Sequence, residues 1–315
     1  MQPRIASPNG TPISRFAFGT MQFGGRADDA ASAAMFDACR AAGINHFDTA
    51  HVYTDGNAET LLGRFAKPQR DDLVIATKAA YQGGSGRQNL LKSFDISRQR
   101  LNLDQVDILY LHRFDPMTPL AETYDTLAEL KHQGKIRHIG VSNHAAWQVM
   151  KSIAVAAQRD LTIDILQPMY NLVKRQAEVE LLPMARDQGL LVAPYSPLGG
   201  GLLTGKYSRQ TKTLSQGRLA DDARYQARYG QKWMWDTAEN LCLLAAQHDI
   251  APATLAAAWV AAHPQGLSPI ISARSPQQLT ASLAAVSFDM SPQLYAEITA
   301  LSPTPAPATD RLEET

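Results

Sequence analysis

Short apolar runs alternate with amphipathic stretches along nearly the whole chain. "RFAFGTM", "HFDTA", "LVIATKA", "VDILYLH", "IRHIGVSN", "IDILQPMY", "LLVAPYSP" and "SPIISA" read as strands. Their apolar positions are continuous rather than alternating, which marks strands buried on both faces, as in a parallel sheet. Between them lie helical patterns. "DDAASAAMFDACRAAG" ends at Gly43, "PLAETYDTLAELKHQG" at Gly134 and "QAEVELLPMARDQG" at Gly189. "NAETLLGRFA", "NLLKSFDISRQRLN", "AAWQVMKSIAVAAQ" and "PQQLTASLAAV" are further helices, as are segments around Asn240 and Leu255. A long irregular stretch follows the seventh strand. Ahead of the first, "SPNGTP" predicts a short β-hairpin, because Asn9 and Gly10 both tolerate positive φ.

About eight β-then-α units point to an α/β fold of the (β/α)₈ barrel type, with chemistry at the C-terminal ends of the strands. A doubly wound sheet would usually carry G-x-G-x-x-G after its first strand, and "FGTMQFGG" does not match it. No linker interrupts the pattern, so residues 1–315 are expected to form one domain. The proline-rich "SPTPAPATD" is expected to leave a loose tail from about residue 302.

Polar residues interrupt the apolar runs where a barrel places its chemistry. Asp48 ends the second strand, Lys78 the third and His112 the fourth; Ser142 and Asn143 end the fifth. Gln167 lies in the sixth strand, and Tyr195 and Ser196 in the seventh. A buried charge costs several kcal/mol unless paired, and Asp48 and Lys78 stand on adjacent strands. Singly, each residue has a plain structural role: a loop cap, a snorkelling lysine, a satisfied core histidine. Together, with Tyr53 in the loop above, they suit proton delivery to a carbonyl. The ammonium of Lys78 is expected to lower the Tyr53 phenol from its reference pKa near 10. Asp48 would hold the lysine, and His112 would orient the carbonyl oxygen. None of these groups supplies reducing equivalents, so a hydride carrier is implied. Asp48, His51 and His112 make a poor metal set, since no H-x-H or H-E-x-x-H pairing occurs and Lys78 repels a cation.

Composition removes other function classes. The 315 residues carry 30 basic and 30 acidic side chains, so no basic excess drives nucleic-acid binding. No apolar run is long enough to span a bilayer, and "MQPRIASPNG" lacks a signal-peptide pattern. Cys39 and Cys242 fall in helical patterns and read as buried free thiols, which fits a reducing cytoplasm. Neither nucleic acid nor a membrane is expected as a partner; a small carbonyl compound is, for a monomer or a homo-oligomer.

"GGLLTGKY" falls one residue short of a nucleotide-triphosphate P-loop, with Tyr207 where Ser or Thr would ligate magnesium. "PYSPLGG" before it predicts no tight strand-to-helix turn. A glycine-rich loop with a lysine still suits a pyrophosphate. "ISARSPQQL" leads from the last strand into a helix, the usual phosphate position of such barrels, and Arg274 there suits an additional phosphate.

"FDTAHVYTDGNAETLLG", "ATKA", "ILYLH", "GKIRHIGVSN", "LQPMYN" and "YSPLGGGLLTGKY" resemble the aldo-keto reductases over nearly the whole chain. "FGTMQFG", "VYTDGNAET" and "AAWQV" look closest to the aflatoxin-aldehyde and succinic-semialdehyde reductases. The resemblance implies an NADPH-dependent carbonyl reductase whose catalytic tetrad falls on Asp48, Tyr53, Lys78 and His112, with Tyr53 as the acid. It places nicotinamide carboxamide contacts on Ser142, Asn143 and Gln167, and a stacking role on Tyr195. Gly19, Thr20 and Met21 would lie near the cofactor. Ser196, Leu198, Gly200 and Lys206 match the pyrophosphate loop, and Ser272, Arg274 and Gln278 the adenosine end. This chain departs from the family at Ser272, Gln278 and the Ala281-Ser282 pair, and in its "TDRLEET" terminus. His51, Arg113, Arg228 and Trp233 are candidate substrate-pocket residues. Two other readings fit the same residues: a cofactor-binding regulatory subunit on this fold, and a sugar or alcohol dehydrogenase working oxidatively.

Overall fold

The computed structural model describes residues 5–207, 219 and 222–314, so most of the irregular stretch after the seventh strand lies outside the described residues. Eight strands form: β1 (Ala17–Gly19), β2 (His46–Asp48), β3 (Val74–Ala79), β4 (Val106–Leu111), β5 (Ile136–Ser142), β6 (Ile165–Gln167), β7 (Leu191–Val192) and β8 (Ile270–Ile271). They pair in parallel in the order β7-β6-β5-β4-β3-β2-β1-β8. The sheet closes on itself where Ser268 N donates to Val192 O and Ile270 N to Pro194 O, both at 2.9 Å. The chain is therefore a (β/α)₈ barrel.

The helices are α1 (Asp29–Ala41), α2 (Asn57–Ala66), α3 (Arg87–Leu101), α4 (Leu120–His132), α5 (Ala146–Ala157), α6 (Leu181–Asp187), α7 (Ala223–Tyr229), α8 (Lys232–Gln247), α9 (Pro252–Ala261), α10 (Pro276–Ala284) and α11 (Pro292–Ala300). Polar caps fix several starts: Asp28 accepts from Ala31 N at 2.8 Å, and Ser275 from Gln278 N at 3.3 Å. Each satisfies an amide that the first helical turn leaves unpaired. None of the described helices is by itself long and apolar enough to cross a membrane.

The two-residue period of the strands divides the apolar side chains into two cores. Phe18, Phe47, Ile75, Leu109 and Leu166 join the layer between sheet and helices. Ala17, Val74, Ala76, Ile108, Tyr110, Ile165 and Ile270 fill the barrel interior. The inward set on β3 is thus Val74, Ala76 and then Lys78, while Thr77 points to the helices. Register alone brings Lys78 into the barrel, and a slip of one residue would expel it.

The short N-terminal hairpin forms as expected, around an antiparallel bridge between Ala6 and Pro12, with Ser7 N donating to Thr11 O at 2.9 Å and Ile13 N to Ile5 O at 3.0 Å. Only Gly10 adopts positive φ there (89°), while the Asn9 side chain accepts from Thr11 N at 2.9 Å. Other expectations change at the level of elements. The helix expected over 176–189 is broken into a turn at Gln176–Glu178 and α6. Pro183 explains this, since its ring crowds the carbonyl four residues before it and it has no N–H to donate. Helices α7 and α11 form in addition to those expected from the sequence, the latter behind a Ser291 cap. Cys39 is buried, but Cys242 is only half-buried; both thiols are free.

Candidate active site

The four residues ending or following β2, β3 and β4 converge at the C-terminal mouth of the barrel. Lys78 is 1% exposed, and its ammonium bonds Asp48 Oδ1 and donates to Thr49 O at 2.9 Å. It has not snorkelled outward. The other carboxylate oxygen of Asp48 accepts from Gln167 Nε2 at 2.8 Å, so β6 fixes the counter-ion from across the barrel. The ammonium also faces the Tyr53 ring, 5.1 Å from its centroid, and the Tyr110 ring at 5.7 Å. Tyr53 and His112 meet edge to face with ring centroids 5.9 Å apart.

The charges set the protonation states. Burial works against the Lys78 ammonium, but Asp48 and Tyr53 outweigh it and hold the lysine pKa above its ordinary value. Burial pushes the Tyr53 phenol up; Lys78 pulls it back only in part, and Asp48 adds to the rise. The lowering expected from Lys78 is therefore present but outweighed, and the phenol holds its proton at neutral pH. His112 is pushed down to about 3 by burial, and then by the Lys78 and Arg113 cations. It is a neutral imidazole, and its Nδ1 is buried without a hydrogen-bond partner.

Two further buried histidines are also held neutral. Burial brings His46 on β2 and His144 after β5 down to about 4. Below the ordinary value of 6.5 the unfolded chain binds protons that these rings refuse, so stability is lost as pH falls from there. The Cε1 proton signals of His46, His112 and His144 are expected to stay at their neutral positions from pH 8 to pH 5 in NMR titration. Midpoints near 6.5 would contradict this burial.

On the other half of the mouth, Ser142 Oγ donates to Gln167 O at 3.0 Å, and Asn143 Nδ2 to His112 O at 2.9 Å. Tyr195 OH donates to Asn143 Oδ1 at 2.7 Å. These residues line one continuous polar strip beside Asp48. Thr20 N donates to Asp48 O at 2.9 Å, tying the loop of Gly19, Thr20 and Met21 to the same level.

Beyond Tyr195 the backbone does turn tightly, against the expectation from "PYSPLGG". Ser196, Gly199, Gly200 and Gly201 all have left-handed φ (61°, 56°, 67° and 100°). Leu198 lies between them, and Lys206 folds back so that a Cβ on Gly201 would stand 2.7 Å from its Nζ. A Cβ on Gly200 would stand 2.7 Å from Tyr225 Cδ1. The loop is thus a backbone surface that side chains would block. At the end of β8, Ser272 Oγ is buried with no partner. Arg274, at the start of α10, has no ion-pair partner among the described residues, and Gln278 Oε1 accepts from Arg274 N at 3.4 Å. An unsatisfied hydroxyl, an unengaged guanidinium and a glycine turn fit a phosphate-bearing cofactor on this side.

The substrate-pocket candidates separate. Arg113 is exposed and lies over the Tyr81 ring at 4.9 Å, while Tyr81 packs on His112 at 4.8 Å. Arg228 lies over Tyr225 at 5.2 Å and near enough to Tyr195 to oppose the burial that raises that phenol to about 12. Trp233 packs against the helical shell, and its indole N–H donates to Gln231 Oε1 at 2.5 Å. His51 turns its Nδ1 toward Ser97 Oγ at 3.3 Å. Among the described residues no group of three His, Cys, Asp or Glu side chains could hold a metal ion. Tyr81 and Tyr110 escaped the reading of the sequence. Tyr110 was recoverable, because it stands two residues before His112 on the inward face of β4.

Residues 15–303 match the model of the aldo/keto reductase family. A human protein named aflatoxin B1 aldehyde reductase member 2 is 35% identical, over 90% of this chain and 82% of its own. A rice protein named probable voltage-gated potassium channel subunit beta is 32% identical, over 95% of this chain and 94% of its own. An uncharacterized oxidoreductase of Bacillus subtilis is 31% identical, over 94% of each chain.

Proposed function

Since the chain belongs to the aldo/keto reductase family of oxidoreductases, we propose that it reduces an aldehyde or ketone to the alcohol with NADPH, using Tyr53 as the proton donor. The observation that carries this reading is the fully buried Lys78 ammonium, paired with Asp48 and facing the Tyr53 ring. A charge is held dry beside a phenol only at a cost, and it stabilises the phenolate that forms as the proton leaves. The raised phenol supports acid rather than base service at neutral pH. His112, kept neutral, has one ring N–H with which to hold a carbonyl oxygen toward Tyr53. A bound nicotinamide supplies the hydride that no side chain can. Ser142, Asn143 and Gln167 would hold its carboxamide, with Tyr195 against its ring and Gly19, Thr20 and Met21 alongside. Ser196, Leu198, Gly200 and Lys206 would hold the pyrophosphate, and Ser272, Arg274 and Gln278 the adenosine end.

The test is a titration of NADPH against NADH, followed by a panel of aldehydes and dicarbonyls. NADPH oxidation by members of the panel supports the reductase reading. The relatives named as potassium channel beta subunits favour a second one, in which the cofactor is a regulatory ligand; tight NADPH binding with no turnover on any carbonyl would select it. Tight NAD binding with weak NADP binding would instead favour an oxidative dehydrogenase. Arg274→Ala is expected to weaken NADPH about tenfold or more, the scale of a charge-assisted hydrogen bond, while NADH binding stays within about twofold. Equal losses for both cofactors would remove Arg274 from the 2′-phosphate.

A further inference from the structure

The loop that carries Tyr53 has an unusual backbone. Thr54, Asp55 and Gly56 follow it with φ of 45°, 53° and 95°, three successive residues in the left-handed region. Two of them carry side chains, so the surrounding structure must hold this path. One end is tied by Thr54, whose Oγ1 donates to Phe23 O at 2.8 Å and accepts from Ala58 N at 2.9 Å. The other tie comes from α3. Arg100 reaches under the loop, and its Nη1 donates to His51 O at 2.9 Å and to Glu59 Oε2 at 3.2 Å. A Cβ on Gly56 would lie 2.3 Å from Arg100 Cζ, so glycine there makes room for the guanidinium as well as for the backbone turn.

Glu59 completes the arrangement. It is 0% exposed, and its second oxygen accepts from Thr77 Oγ1 at 2.6 Å. Thr77 is the outward neighbour of Lys78 on β3. One buried carboxylate therefore joins the strand that carries Lys78, the helix that follows Tyr53 and, through Arg100, the backbone just before Tyr53. The Asp48–Lys78–Tyr53–His112 chemistry uses none of these three residues.

We propose that Glu59 and Arg100 are positioning residues, an ion pair between a buried carboxylate and a partly exposed guanidinium that fixes the distance between the Tyr53 phenol and the Lys78 ammonium. The proposal rests on the reductase reading for its effect on turnover. Its mechanical part, the clamping of residues 51–57, stands apart from that reading. A displacement of about 1 Å in such a group lowers rates on the order of a hundredfold.

Arg100→Ala alone would strand the Glu59 carboxylate in the interior and could abolish folding. The informative protein is the full chain with Glu59→Gln and Arg100→Met together, which removes both charges and keeps both volumes. Its kcat is expected to fall at least about tenfold on the best aldehyde of the panel. Its NADPH Kd should stay within about twofold of the parent, since the polar strip on β5 and β6 and the loops after β7 and β8 are untouched. Hydrogen exchange should quicken at amides 51–57 and stay unchanged across β3 and β4. A kcat within about twofold of the parent overturns the proposal. So does a kcat loss matched by loss of NADPH binding, or by faster exchange throughout the barrel, because either marks general destabilisation. If the parent itself reduces no carbonyl, the reductase reading fails, and the exchange at 51–57 alone decides whether the clamp exists.

Discussion

Tyr53→Phe is expected to lower kcat for carbonyl reduction by about two to four orders of magnitude, the range of a positioned general acid. The ring remains, so its edge-to-face contact with His112 and its packing near Lys78 survive. NADPH affinity should therefore change little, and the melting temperature should hold. The change removes only the hydroxyl, which burial keeps protonated. Retained turnover in this variant would move the proton donor elsewhere, and His112 is a poor substitute. Its imidazole is neutral at working pH, with a pKa near 3. Losing its proton as a donor would leave an imidazolate anion, which the protein would have to stabilise.

The second large effect concerns stability. Asp48→Ala is expected to cost about 3–5 kcal/mol in unfolding free energy at neutral pH, because the Lys78 ammonium stays buried without its partner. Gln167 also loses the acceptor it reaches across the barrel. The sign with pH distinguishes this from a simple packing loss. In the parent, the folded pKa of Lys78 is raised, so its contribution is complete below the ordinary lysine value of 10.5 and is lost only above it. In the variant, burial acts without Asp48 and the lysine pKa falls below that value. The folded protein then binds fewer protons than the unfolded chain, and the variant gains stability as pH rises toward 10. Urea unfolding at pH 6, 8 and 9.5 should show this slope in the variant and not in the parent. A constant difference between the two proteins at all three values would show that the ammonium is not the source of the cost.

The parts of this molecule that were legible in its sequence are those set by periodicity. Continuous apolar strands such as "VDILYLH" can satisfy both faces only inside a two-layer wrap, which leads to the barrel. Polar residues at the strand ends then fall at its mouth by register, and Asp48 and Lys78 do meet there. What the sequence hid was set by contacts distant along the chain. Gln167 reaches Asp48 across 119 positions, and Arg100 reaches His51 across 49. Nothing in a local pattern marks either meeting. The balance of burial against charge at Tyr53 was hidden for the same reason: the ammonium was visible, but the depth at which both groups sit was not. Helix 176–189 failed for a local cause that was present in the sequence, since Pro183 forbids the upstream turn. His51, a pocket candidate by position, turns out to hold its loop through its carbonyl. Its cavity of about 290 Å³, shared with Tyr81 and Lys92, opens between the loops after β2 and β3.

Hydride and proton are expected to reach one carbonyl group at this barrel mouth. This is tested most directly by following deuterium from NADPH labelled at nicotinamide C4 into product, with the parent and the Tyr53→Phe protein side by side. Label is expected on the carbinol carbon of the alcohol made by the parent, with at least a hundredfold less from the variant at equal cofactor occupancy. Bound NADPH that passes no label to any carbonyl compound, or equal transfer by the two proteins, would contradict it.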